Sequence, residues 1–135
     1  MSRSKFVEIS EGIFRELGFA PPLMLHEDSL PLVMELEFEG KSFELVHSPN
    51  ELQDKILIVC KLGEMPAAER VHGMQEMMKE NLLQMRVCGE WFGINAANNE
   101  IHSMCHKSLD ELSALEILQH MKAMVERSVE LRKEN

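Results

Sequence analysis

The spacing of apolar residues changes several times along this chain, and these changes restrict the fold more than any other feature of the sequence. Residues 4–18, residues 67–85 and a long C-terminal segment place apolar residues every three or four positions, which is typical of amphipathic helices. Residues 30–39 instead alternate apolar and polar positions, which is typical of a strand with one buried face. The chain is therefore predicted to contain both helices and strands.

The predicted elements follow the order α-β-β-β-α-β-β-α. Five strands are predicted, at residues 30–39, 43–46, 56–62, 90–94 and 100–106. The first two flank a short turn with a glycine and are predicted to form a hairpin, and the third is apolar at nearly every position, which predicts cover on both faces. Because short strands joined by short turns favour antiparallel pairing, we predict an α+β fold. Three helices would cover an antiparallel twisted sheet of about five strands, in a single domain of residues 1–135.

The formal net charge of −9 and the pI of about 5.1 restrict the possible partners. An acidic protein repels the phosphates of nucleic acids and of anionic lipids, so we expect neither as a partner and favour a basic or neutral protein. Solubility alone, without a charged partner, would also explain the acidity. No apolar run approaches the roughly 18 residues that a transmembrane helix needs. The N-terminus lacks the apolar core of a signal peptide, so we expect a cytoplasmic protein.

Three cysteines, Cys60, Cys88 and Cys105, form an odd set without the spacing of a disulfide framework, which favours reduced thiols. The best candidate for a metal site is the segment 102–106, which contains two histidines, a methionine and a cysteine. On a strand, Cys105 points away from both histidines, so the ligands do not converge as a tetrahedral site requires. We expect no metal and no other cofactor.

The sequence lacks the common motifs of catalysis. It contains no Walker loop, no GxGxxG fingerprint and no GxSxG nucleophile elbow. Cys105 and His106 are neighbours on a predicted strand and face opposite ways, so the histidine does not activate the thiol. Glu35, Glu37 and Glu39 share one strand face, which is more typical of a solvated face that discourages edge aggregation than of a carboxylate site. We expect that the protein is not an enzyme.

The three predicted helices carry more apolar surface than a single small sheet needs as cover. The first and last helices are apolar on more than one stripe, and several of the eleven methionines line the second. Surplus apolar surface indicates a partner, although a thick helical layer that buries everything would also account for it. We predict a homodimer that buries the second helix and the strand after it. The predicted dimer interface comprises Met74, Met77, Met78, Leu82, Trp91 and Phe92.

The element order, size and acidity resemble those of the class I type III secretion chaperones, the Tir-chaperone-like family. Residues 78–83 look like the end of that family's dimer helix. Residues 91–95 look like its aromatic-Gly-apolar-polar strand, which is followed by an Asn-rich turn and a returning strand. The first predicted helix is also similar to the start of the family. The resemblance covers nearly the whole chain, as a pattern of residue types.

This resemblance implies a homodimer in the bacterial cytoplasm that binds an extended N-terminal segment of a secreted effector. It also implies that the effector is kept soluble and non-globular and is delivered to the secretion ATPase, while the chaperone itself binds no nucleotide. We expect apolar anchors of the effector beside the first helix and over the adjacent sheet, and backbone pairing at an open sheet edge. The predicted effector-binding residues are Phe6, Ile13, Leu17, Val33 and Val46.

Two other classes of protein remain compatible with the sequence. An acidic inhibitor or immunity-type protein would cap one folded, basic partner, and it would differ from a chaperone in failing to bind a short unfolded segment. A small metal or redox protein would use Cys105 and the neighbouring histidines, and metal analysis of the purified protein would distinguish it.

Overall fold

The structure is a computed structural model that describes residues 2–22, 27–50, 52–65, 67–87, 89–95 and 97–134. Its elements are α1 (Ser2–Glu16), β1 (Leu32–Phe38), β2 (Lys41–Ser48), β3 (Leu52–Glu64), α2 (Arg70–Val87), β4 (Glu90–Ile94), β5 (Glu100–Ser108) and α3 (Ala114–Glu134). A 3-10 turn at Ala67–Glu69 leads into α2. This succession confirms the predicted order and the α+β class.

Local hydrogen bonds cap α1 at its end and α3 at its start, and the predicted hairpin turn is present. After α1, Gly18 adopts a positive φ of 82°, and the amide of Phe19 donates to the carbonyl of Phe14 at 2.9 Å, which caps the helix. Before α3, Ser113 and Glu116 form a capping box, in which the Glu116 amide donates to the Ser113 hydroxyl at 3.2 Å. These caps confine the helices to the segments with helical spacing.

The five strands form one antiparallel sheet in the order β1-β2-β3-β5-β4. The β1–β2 hairpin turns through Glu39 and Gly40, which both have positive φ, as a tight two-residue turn requires. β3 is longer than the predicted 56–62 because polar residues such as Lys55, which pairs with Ser108, continue the ladder. In the described part of the chain, β1 and β4 are the outermost strands.

The helices α1 and α3 pack together on one face of the sheet, which we call the inner face. Their buried side chains form a single core with those of the inner face, including Phe6, Ile13, Phe43, Ile58 and Met121, all of which are inaccessible to solvent. A Cβ added to Gly12 would lie 2.9 Å from the Cβ of Ala114, so a glycine is needed where α1 approaches α3.

The opposite face, which we call the outer face, is less completely covered. On β3, Ile56 and Cys60 point to the inner face and are fully buried, whereas Leu57 on the outer face is only half-buried. Val59 on the outer face is nevertheless buried at the middle of the sheet. The prediction of cover on both faces of this strand therefore holds at its centre and not along its length. Among the described residues, no helix is both long and apolar enough to cross a bilayer.

Candidate functional site

One exposed apolar surface lies along α2. The side chains of Met78 and Leu82 are 72% and 62% exposed, far more than the core methionines of α3. Three further residues of the same helical stripe are also exposed, and we call the whole set the α2 face: Val71, Met74, Met78, Leu82 and Met85. An apolar stripe of this length on a small protein is typical of an interaction surface.

The structure places the six predicted dimer residues in three different environments. Met74, Met78 and Leu82 lie on the α2 face. Met77 and Phe92 are each only 6% exposed and belong to the core. Trp91 is half-buried on the outer face of β4, next to the strand edge along which α2 lies. The prediction that all six form one interface stays a prediction.

Asn81 attaches α2 to the sheet. Its side-chain nitrogen donates to the carbonyl of Phe92 at 3.1 Å, and its side-chain oxygen accepts from the amide of Phe92 at 2.5 Å. The amide group of Asn81 therefore satisfies both backbone groups of Phe92 on the edge of β4, as a neighbouring strand would. Gly73 allows the same helix to pack closely against Met65, because a Cβ at this position would lie 2.7 Å from the sulfur of Met65.

The first residue of β4 carries a buried carboxylate. Glu90 is 1% exposed, and it accepts a hydrogen bond from the hydroxyl of Ser103 at 2.7 Å. Arg127 of α3 forms an ion pair with the second oxygen of the same carboxylate. Because a buried charge is tolerated only when it is paired and hydrogen-bonded, this cluster ties β4 to β5 and to α3.

The second exposed surface is the outer face of the sheet. The strand register places Val33 directly beside Val46, Val46 beside Leu57, and Leu57 beside His106. Since directly paired residues of antiparallel strands point to the same side, these side chains form one continuous row. The imidazole of His106 contacts the indole of Trp91 edge to face, with ring centroids 5.5 Å apart. An apolar band therefore crosses the outer face from β1 to β4.

The predicted effector-binding residues lie on opposite sides of the sheet. Val33 is 46% exposed on the outer face, and Val46 beside it is half-buried. Phe6 and Ile13 are fully buried on the inner side, and Leu17 packs against the same core. The sequence indicated the apolar side of the first helix but not the surface against which it packs. In this structure that surface is the chain's own sheet.

Acidic side chains line the outer face next to β1. Glu35 is paired directly with Glu44, and Glu37 follows two residues later on the same side. Lys61 lies 3.9 Å from Glu44. These carboxylates give the β1 end of the apolar band a negative charge.

A shallow groove lies on the solvent side of α1. Its volume is ≈ 300 Å³, and it is lined by Arg3, Ser4, Val7, Glu8, Glu11 and Asp28. Arg3 itself is 6% exposed, and its Nε donates to Nδ1 of His47 at 2.9 Å. Arg3 also donates to the carbonyl of Leu30, so it connects α1 to the segment that precedes β1. Nε2 of His47 lies 2.8 Å from the carbonyl oxygen of Gln53, which continues this connection to β3.

The residues considered for metal or thiol chemistry are dispersed. Among the described residues, no cluster of three histidine, cysteine or acidic side chains could hold a metal ion. Cys105 points to the inner face, where its Sγ lies 3.8 Å from Sδ of Met124. His102 lies on the outer face instead, and its Nε2 is 2.7 Å from Oε1 of Glu100. Cys60 and Cys105 are both buried, and Cys88 lies outside the described residues.

Comparison with known proteins gives one family. Residues 9–132 match the family described as the Tir chaperone protein (CesT) family. No curated protein matches the chain at a significant level of similarity.

Three solved structures illustrate the similarity in fold. One chain of the HopA1-SchA chaperone-effector complex has a TM-score of 0.66 at 14% identity, over 98% of both chains. A chain of the ExsC-ExsE complex has a TM-score of 0.68 at 10% identity, over 93% of this chain and 89% of that one. A chain of the ExoT-SpcS complex from Pseudomonas aeruginosa has a TM-score of 0.60 at 18% identity, over 93% and 96%. At these identities, the comparison establishes a shared fold.

Proposed function

The chain belongs to the Tir chaperone protein (CesT) family, and we infer from this membership that it is a type III secretion chaperone that binds a secreted effector protein. The observation that carries the inference is the family match over residues 9–132 of the 135-residue chain. The fold agrees with it, since the HopA1-SchA structure, whose fold is similar over 98% of both chains, is a chaperone-effector complex.

The chaperone is proposed to act as a homodimer in the bacterial cytoplasm. The support for the dimer is the α2 face, whose exposed methionines and leucine are an apolar stripe without cover in the isolated chain. A twofold axis beside α2 would bring the same residues of two copies together, so that each covers the other. Methionine suits such a surface because its unbranched side chain adapts to an irregular neighbour.

The effector is proposed to bind through an extended N-terminal segment, which the chaperone keeps soluble and competent for secretion. The outer face offers an apolar band that includes Val33 and Val46, and β1 is the outermost strand beside it. An extended segment would pair with the backbone of β1 and place alternate side chains on the band. Beside α1, Leu17 would contact effector side chains, while the buried Phe6 and Ile13 would support the surface from beneath.

This function needs no catalysis, cofactor or nucleotide from the chaperone. Binding and release of a segment require only that the bound state is favoured until delivery to the secretion apparatus. A disordered segment that becomes ordered on binding loses conformational entropy, which lowers its affinity for a given buried area and suits release.

Co-expression tests the proposal. The tagged chain is expressed with N-terminal fragments of secreted proteins encoded in the same genome, and with their isolated folded C-terminal domains. We expect one N-terminal fragment to co-purify and to show fast amide hydrogen exchange over most of its length, as a non-globular segment does. Capture of a folded domain alone would contradict the proposal and indicate the inhibitor or immunity-type function instead.

A further inference from the structure

The carboxylates at the β1 end of the outer face are arranged unfavourably in the free chain. Glu35 and Glu44 are direct cross-strand partners, and like charges in this position destabilise a sheet. Glu37 follows on the same side of β1 and is exposed. Within the part of the chain that the structure describes, Lys61 is the cation paired with this group, and it contacts Glu44 only. Glu35 and Glu37 therefore face solvent, and no cation of the described residues forms an ion pair with either.

The position of these carboxylates determines what a bound strand would meet. A strand added beside β1 would continue the sheet, so its residues opposite Val33, Glu35 and Glu37 would all point to the outer face, each two positions from the next. The intervening residues would point to the inner side, next to Met34 and Leu36, which are both buried. One side of an added strand would therefore lie beside a valine and two carboxylates, and the other side beside buried apolar residues.

A second copy of this chain is a poor occupant of this edge. Pairing of β1 with β1 of another copy would bring glutamates of the two strands together, and each chain has a formal net charge of −9. A partner segment with the opposite charge would instead neutralise Glu35 and Glu37. The electrostatics of this edge therefore favour a basic partner.

We propose that Glu35 and Glu37, together with Val33, select the sequence of the effector segment that binds at β1. The selected strand carries an apolar side chain facing Val33 and lysine or arginine side chains, two residues apart, facing the two glutamates. This inference rests on the proposed function, in which an extended effector segment pairs with β1, and it adds the chemistry by which one segment is preferred over another.

Selection from a library of displayed random peptides tests the proposal without a known effector. Peptides of about twelve residues exceed the length of an ordinary strand. The library is selected on the unmodified chain, on Glu35→Gln/Glu37→Gln, and on the control Glu111→Gln/Glu126→Gln. The control removes the same charge from exposed positions after β5 and on α3. Circular dichroism and light scattering establish that all three proteins share the same fold and oligomeric state.

We expect peptides with two basic residues at a spacing of two from the unmodified chain and from the control. The Glu35→Gln/Glu37→Gln variant should lose this enrichment and bind the selected basic peptides about threefold to tenfold more weakly, as expected for two exposed ion pairs. Their affinity for the unmodified chain should fall with added salt. Glu35→Lys/Glu37→Lys should instead enrich acidic peptides.

Two other outcomes contradict the proposal in distinguishable ways. If peptides bind but show no basic enrichment, or show it equally on Glu35→Gln/Glu37→Gln, the glutamates do not select the segment. Increased self-association of that variant would then assign them to protection of the sheet edge. If the unmodified chain selects no peptide at all, capture of an extended segment itself is refuted, and the proposed function fails together with the inference.

Discussion

Asn81 joins α2 to the edge of β4 through its side chain, and the sequence analysis did not assign it this role. An asparagine in the middle of a helix is unfavourable unless its side chain has a partner, and here the partner is the backbone of Phe92. Its position in the middle of α2 indicates that the side chain has a partner, but helical spacing does not reveal which strand lies beside the helix. The capping residues Ser113 and Glu116 were predictable because both partners lie within four residues of each other.

Replacement of Asn81 tests its role directly. Asn81→Ala leaves the amide and the carbonyl of Phe92 without their side-chain partner, and unsatisfied groups of this kind cost about 1–3 kcal/mol. We expect this loss in the free energy of unfolding, measured in urea at a fixed protein concentration. The control His72→Ala, at an exposed position of the same helix, should change stability by less than about 0.5 kcal/mol. Equal effects of the two substitutions would refute the role of Asn81.

At the scale of elements, the sequence predicted all three helices and the second as the helix of a dimer interface, but it did not predict which apolar residues of that helix would be exposed. All three carry apolar stripes, and only the tertiary arrangement places α1 and α3 on the inner face while α2 lies beside β4. Met77 and Met78 illustrate the difference, since they are adjacent in sequence but about 100° apart around the helix. Met77 is consequently 6% exposed and Met78 is 72% exposed.

The exposed stripe of α2 leads to a prediction about assembly. Met78→Glu would place a charge from each copy near the proposed twofold axis, in an apolar contact, which should cost several kcal/mol. We expect the unmodified chain to be a dimer at micromolar concentration by light scattering and the variant to be a monomer. Leu83→Glu is the matched control, because Leu83 is 55% exposed on the same helix but outside the α2 face. A monomeric unmodified chain, or equal dissociation of both variants, would contradict an interface at the α2 face.

At the scale of the whole molecule, the sequence predicted the order of the elements and the resemblance to a chaperone family, and both are confirmed. The sequence did not predict on which side of the sheet the effector-binding residues would lie, because a pattern of apolar positions does not specify the side. The strand register resolves this for Val33 and Val46, which are direct neighbours on the outer face, and separates them from the buried Phe6 and Ile13. Only the two valines are therefore suitable for a test that leaves the core unchanged.

The final prediction concerns the contribution of these valines to effector binding. Val33→Thr/Val46→Thr keeps the β-branched shape and the net charge, so it removes apolar contact without altering the attraction between the carboxylates and a basic segment. A hydroxyl buried without a partner costs about 1–3 kcal/mol, so we expect binding of the co-purifying effector fragment to weaken about tenfold, or about 1.4 kcal/mol. Calorimetry measures the affinity, and circular dichroism and light scattering establish that the fold and the dimer are unchanged. Leu115→Thr is the control, because Leu115 is an exposed apolar residue on α3 and lies away from the outer face. Unchanged affinity of the double variant would exclude the valines from the binding surface, and its unfolding would assign them to the core, so either result would move the proposed surface elsewhere on the molecule.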